Sequence, residues 1–147
     1  MSPTTIRRRP LTLLVPALTL LALAGGCGKP AHIPDLGDVS GTVTLDGQPL
    51  VDATVNFSPA EGRPSFGKTD AAGQYSLSFV GEYTGAIVGP HTVRISTEQY
   101  IEREDGTTDY VKESVPPGYN KKSTLTANVE PGENSFDFEL SSKPGKK

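Results

Sequence analysis

The stretch Glu98–Glu113, EQYIEREDGTTDYVKE, gathers carboxylates and tyrosines around an Asp105-Gly106 dipeptide. Asp-Gly between extended arms is a strong signal for a two-residue hairpin turn. A turn on those two residues pairs Glu104 with Thr107, Arg103 with Thr108, Glu102 with Asp109, Ile101 with Tyr110 and Tyr100 with Val111. Further out, Gln99 faces Lys112 and Glu98 faces Glu113. Successive side chains point to opposite faces. One face then carries Glu98, Glu102, Glu104, Asp109 and Glu113 around Tyr100 and Val111, and the other Ile101, Arg103, Tyr110 and Lys112. Like charges directly opposite one another destabilise a strand pair. A hard cation such as Ca²⁺, which gathers several oxygen ligands, would relieve that repulsion, and so would a basic partner. Glu98, Glu102, Asp109 and Glu113 are therefore the candidate metal ligands. The competing expectations are a solvated ribbon with screened charges, or a loop that pairs in another way.

The tyrosines are the second candidate group. Tyr83, Tyr100, Tyr110 and Tyr119 fall outside the strongly alternating segments. Tyr100 and Tyr119 are candidate contacts for a sugar or a protein partner; the alternative is that such rings close the ends of a strand sandwich with the hydroxyl on water or a carbonyl. His91 falls on the inward face of its segment and is expected to be a hydrogen-bonded core residue. His32 lies in a polar stretch and is expected to be solvated. Neither histidine has an orienting partner visible in the sequence, and the one cysteine has another use, so a nucleophile-and-base mechanism is not expected.

That cysteine, Cys27, follows LTLLVPALTLLALAGG, and Arg7, Arg8 and Arg9 precede the apolar run Leu11–Ala24. A basic head, a short apolar middle and a small-residue exit is the layout of a secretory signal peptide. The run is broken by Pro16 and is shorter than the roughly 20 residues a membrane span needs. Gly25-Gly26-Cys27 resembles the lipobox of bacterial lipoproteins, with Ala24 where leucine is the commoner residue. The resemblance implies a diacylglyceryl group on the Cys27 thiol and cleavage before it. Residues 1–26 are then the leader, and 27–38 (the modified cysteine and GKPAHIPDLGD) a tether. The expectation is an exported protein anchored through Cys27 to a membrane of the cell envelope.

Three of the 14 basic residues sit in the leader, which leaves 11 against 17 acidic ones and a net charge of −6 for the exported chain. That balance argues against a nucleic-acid surface, which needs a basic stripe. With Cys27 lipidated no thiol remains for a disulfide, so the domain must hold by its core alone.

From Val39 the hydrophobic period is two. Val39, Gly41, Val43 and Leu45 alternate with polar residues, and Asp46-Gly47 turns the chain. Ala53, Val55 and Phe57 follow, then a weaker segment Ser65–Thr69, a turn at Asp70–Gly73, and Tyr75, Leu77 and Phe79. His91, Val93 and Ile95 share a face, as do Leu125, Ala127 and Val129, and finally Phe136, Phe138 and Leu140. All five phenylalanines fall in these segments and are expected in the core. Seven short alternating segments with turns between them predict an all-β sandwich over 39–140, with a polar tail at 141–147.

Gly41-Thr-Val43-Thr-Leu-Asp46-Gly47-Gln-Pro49-Leu and Ala53-Thr-Val55-Asn-Phe57-Ser-Pro59 resemble the opening of carboxypeptidase regulatory-like domains. Thr69-Asp70-Ala-Ala-Gly73-Gln-Tyr75 resembles their second signature, and Gly85-Ala86 with Gly89-Pro90-His91-Thr-Val93-Arg-Ile95 the third, His91 standing where an aromatic is usual. Pro117-Gly118-Tyr119-Asn120, Ser123–Thr126 and Gly132–Phe138 resemble small bacterial lipoproteins carrying that domain. The resemblance implies a single seven-stranded Greek-key sandwich of transthyretin-like type, generally without catalysis. The related-fold enzyme that hydrolyses hydroxyisourate needs several histidines, an arginine and a particular C-terminal tetrapeptide; here the histidines are His32 and His91, and the chain closes on Lys143-Pro-Gly-Lys-Lys147. The expected role is a non-catalytic, lipid-anchored envelope module for protein interaction, adhesion or support, with no cofactor. The alternative is a surface lipoprotein that binds carbohydrate or calcium.

Overall fold

The computed structural model describes residues 33–143. The leader, Cys27, His32 and the end of the tail at 144–147 lie outside the described residues. Among the described residues no helix is long and apolar enough to cross a membrane.

The domain is all-β. Its strands are β1 Leu36–Leu45, β2 Gln48–Pro49, β3 Thr54–Pro59, β4 Ser65–Lys68, β5 Gln74–Ser76, β6 Ser78–Val80 and β7 Tyr83–Thr84. They continue as β8 Ala86–Ile87, β9 Gly89–Ser96, β10 Gln99–Glu102, β11 Thr108–Val111, β12 Leu125–Val129, β13 Gly132–Ser135 and β14 Phe138–Leu140. Among the described residues one 3-10 turn, Pro117–Tyr119, is the helical exception. Fourteen strand segments thus stand where alternation marks seven. Several are two-residue contacts that have no room for a detectable period. β1 also starts inside the expected tether, at Leu36.

One sheet is built around β1. Ser40 pairs with Ser135 of β13 on one side and Ser76 of β5 on the other; Thr44 pairs with Glu139 of β14 and with Pro49 of β2. β13 and β14 run parallel to β1 in one register, interrupted at Phe136-Asp137. At that break the Asp137 carboxylate accepts the Thr42 backbone N–H at 2.7 Å, so the donor is satisfied although the ladder is broken. The second sheet has the order β12-β9-β3-β4-β6-β7 and is antiparallel throughout.

The apolar faces of the two sheets share one core. Val39, Val43, Tyr75, Phe138 and Leu140 from the first meet Val55, Phe57, Val93, Ile95, Ala127 and Val129 from the second. Phe57 is fully buried and lies 5.8 Å from Phe136 and 6.2 Å from Phe138 between ring centroids. The tyrosine hydroxyl of Tyr75 donates to the Phe136 carbonyl at 2.8 Å.

The phenylalanines do not all go inside. Phe66 is 47% exposed on the outer face of the second sheet, while its neighbour Ser65 is fully buried. The β3–β4 register sets Ser65 opposite Phe57 and Phe66 opposite Asn56. With the Phe57 ring occupying the inward layer, the residue facing it across the ladder is a small one. A slip of one position would exchange the two faces.

Candidate functional site

The Gln99–Val111 ribbon, β10 and β11, forms a two-stranded sheet of its own. Its pairing differs from the expected one. Gln99 faces Val111, Tyr100 faces Tyr110, Ile101 faces Asp109 and Glu102 faces Thr108, a shift of one residue on one arm. The cause lies in the turn. Gly106 N–H bonds to the Arg103 carbonyl at 3.0 Å, and Arg103 N–H to the Thr107 carbonyl at 2.8 Å, so the loop is Glu104-Asp105-Gly106. Gly106 has φ +81°, and Asp105 keeps a negative φ. This is the three-residue hairpin with a left-handed glycine, not the two-residue form, which needs positive φ at the first of its two positions, here Asp105. The Asp105 carboxylate accepts the Thr107 N–H at 2.9 Å and the Thr107 hydroxyl at 2.6 Å, and these bonds hold its pKa below the ordinary carboxylate value. At Asp46-Gly47 the same dipeptide has φ +52° and +80°, and Leu45 pairs with Gln48. That one is the two-residue turn.

The shift takes Asp109 off the face expected to carry the four carboxylates that would share a cation. Glu102 faces Thr108 instead of Asp109, and Asp109 receives the Arg103 guanidinium in an ion pair. Glu98 accepts the Tyr110 hydroxyl at 2.9 Å, which raises the tyrosine pKa. Glu113 leaves the ribbon altogether. Among the described residues no group of three or more His, Cys, Asp or Glu side chains is placed to hold a metal ion.

Glu113 instead ties the two legs of the ribbon to the sheet. Its carboxylate accepts the Ser96 hydroxyl at 2.6 Å, the Thr97 N–H at 3.0 Å, the Thr97 hydroxyl at 2.9 Å and the Val115 N–H at 2.9 Å. Burial pushes its pKa up, but the bonds from Ser96, Thr97 and Val115 outweigh that and the net shift is downward. Thr97 in turn accepts the Ser114 N–H at 2.8 Å. The sequence signal for this clamp is the Ser96-Thr97 pair leaving β9.

What the ribbon presents is apolar. Tyr100 is 71% exposed, Tyr110 52%, Ile101 45% and Val111 37%. The Tyr100 and Tyr110 rings, directly opposite, have centroids 5.0 Å apart. Ile101 and Val111 sit on the other face, beside the Arg103–Asp109 ion pair. Tyr119, the other candidate contact, is half-buried against the core, and its hydroxyl accepts the Ser141 N–H at 3.3 Å. It closes the sandwich and is not at the ribbon surface. Tyr83 lies in β7 at the edge of the second sheet.

His91 is buried, with Nε2 2.6 Å from the Ile87 carbonyl and the Phe57 ring centroid at 5.7 Å. Its Nδ1 is buried and has no hydrogen-bond partner among the described residues. A carbonyl oxygen can only accept, so Nε2 is the donor in the bond to Ile87.

No protein-family profile matches the chain, and no curated protein matches it. Among solved structures the chain is similar to a 9R-lipoxygenase from Cyanothece PCC8801, at 14% sequence identity and a TM-score of 0.43. The alignment covers 78% of this chain and 18% of that one, so the chain spans less than a fifth of the lipoxygenase.

Proposed function

We propose that the chain is an exported, lipid-anchored, non-catalytic module of the cell envelope that docks on another envelope protein through the Gln99–Val111 ribbon. The observation that carries this reading is the distribution of exposed apolar side chains. Among the described residues, four of the six exposed large hydrophobic side chains, Tyr100, Ile101, Tyr110 and Val111, belong to this one ribbon. A two-stranded ribbon on its own is marginally stable in water. Apolar groups on both its faces gain from being covered, and aromatic side chains are enriched at the centres of protein interfaces. The Glu113 clamp fixes where the ribbon leaves the domain, so its tip is presented from a defined base.

The location rests on Cys27 and the leader before it. A diacyl anchor holds where a single acyl chain binds reversibly. The finer reading of the fold is a carboxypeptidase regulatory-like, Greek-key sandwich of transthyretin type. The two-residue turn at Asp46-Gly47 and the Asp70–Gly73 turn feeding β5 support it; in the latter the Asp70 carboxylate accepts the Ala72 and Gln74 N–H groups at 2.8 and 2.9 Å.

Site-specific photocrosslinking in intact cells tests the docking. A crosslinker at Ile101 is expected to yield a discrete protein adduct, lost when Tyr100 and Tyr110 are both alanine, whereas one at Asn128 yields none. No adduct at Ile101, or one indifferent to the tyrosines, overturns the reading. Cys27→Ala is expected to move the protein from the membrane fraction to the soluble one; a variant that stays with the membrane overturns the anchor.

A further inference from the structure

We propose a second binding site, separate from the ribbon surface: a saccharide groove on the outer face of the second sheet, centred on Phe66. The groove is open and about 390 Å³ in volume, and Thr54, Asn56, Phe66, Arg94, Glu98 and Lys121 contribute to its lining. That volume is in the range of small-ligand sites, which begins near roughly 300 Å³.

Phe66, Asn56 and Arg94 form one row across β4, β3 and β9, each directly opposite the next. The row therefore sets an exposed aromatic ring beside an amide and a guanidinium, held in place by ladder hydrogen bonds. The Asn56 Oδ1 accepts the Ser58 hydroxyl at 2.6 Å, and its Nδ2 has no hydrogen-bond partner among the described residues. Arg94 spends one N–H on the Ser58 hydroxyl at 3.3 Å, and its other N–H groups have no hydrogen-bond partner among the described residues. Glu98, at the foot of the ribbon, takes the Tyr110 hydroxyl on Oε1 and leaves Oε2 as an acceptor. Lys121 is an exposed cation at the same end, and the Thr54 hydroxyl lies in the adjacent row.

This combination matches the chemistry of a pyranose. One face of such a ring is a patch of C–H groups that packs on an aromatic ring, and its rim is hydroxyls that both donate and accept. The groove offers one aromatic surface, donors from Asn56, Arg94 and Lys121, and an acceptor from Glu98. Arg94 and Lys121 are balanced by Glu98 and Glu113, which also lines the groove, so the matching sugar is uncharged. A protein partner would find one apolar side chain here and not a cluster, and a lipid surface would need an excess of basic residues.

The test is isothermal titration of the full-length protein in detergent with maltohexaose, cellohexaose, chitohexaose, xylohexaose and mannohexaose. At least one is expected to bind with Kd at or below about 1 mM, weak but measurable. Phe66→Ala and Asn56→Ala are each expected to weaken that binding at least about tenfold, and Tyr100→Ala to leave it unchanged. Phe66 is 47% exposed, so its alanine variant is expected to keep the wild-type circular-dichroism melt. No binding to any of the five sugars, or binding untouched by Phe66→Ala, overturns the site. Loss of binding in Tyr100→Ala alone would place the sugar on the ribbon and overturn it as well.

Discussion

Ser65 stands directly across the β3–β4 ladder from Phe57, and both are fully buried. The serine hydroxyl finds no hydrogen-bond partner among the described residues. A buried polar group left unpaired costs about 1–3 kcal/mol. Ser65→Ala removes that cost without opening a large space, and is expected to stabilise the domain by about 1 kcal/mol. Phe57→Ala, which empties the centre of the core, is expected to cost about 3–5 kcal/mol. Urea denaturation midpoints measure both; a destabilised Ser65→Ala would mean that the hydroxyl has a partner after all.

The Glu113 clamp makes a pH prediction with a definite sign. Its folded pKa is below the ordinary value of 4.5, so its contribution is complete above that value and is lost as pH falls through the lower, folded one. The wild-type melting temperature is expected to drop more steeply below pH 4.5 than that of Glu113→Gln. Equal slopes in the two proteins would show that the carboxylate contributes nothing at the ribbon base.

Tyr75 gives the opposite case. Burial first, and then the neighbouring Asp137 carboxylate, raise its phenol well above the ordinary value of 10.0. The folded state favours the protonated form, so this contribution is whole below pH 10.0 and declines as pH rises above it. Tyr75→Phe is expected to flatten the alkaline fall in stability. At neutral pH it costs about 1 kcal/mol, because the Phe136 carbonyl loses its donor. Ultraviolet titration of the folded protein should show a tyrosine, missing in Tyr75→Phe, that ionises well above the ordinary value of 10.0.

Gly106 has φ +81° with open space around its Cα, so Gly106→Ala meets backbone strain and no clash. The strain is about 1–2 kcal/mol. Because the ribbon pairs with neither sheet, the cost is expected to appear as local opening. Amide exchange at Arg103 and Gly106 should accelerate while the core amides of β3 and β9 keep their protection. Loss of protection throughout would mean that the ribbon and the core unfold together.

The residue pattern alone carries the all-β class, and for a simple reason. A period of two over Val55–Phe57, Val93–Ile95 and Ala127–Val129 leaves one apolar face per strand, and such faces bury one another. It also placed the Asp46-Gly47 turn and the inward-facing His91, since each depends on residues a few positions apart. Tertiary structure alone decided the rest. Ser65 went inside and Phe66 outside because Phe57, on another strand, already filled the inward layer; alternation in so short a segment could not say so. Asp105-Gly106 took the longer turn, with Asp105 bonded to Thr107, and Glu113 was drawn to Ser96 and Thr97 at the end of β9. The expected carboxylate face was thereby split, and a pair of tyrosines stands opposite one another in its place. Register and clamp both depend on bonds between residues that local spacing does not relate.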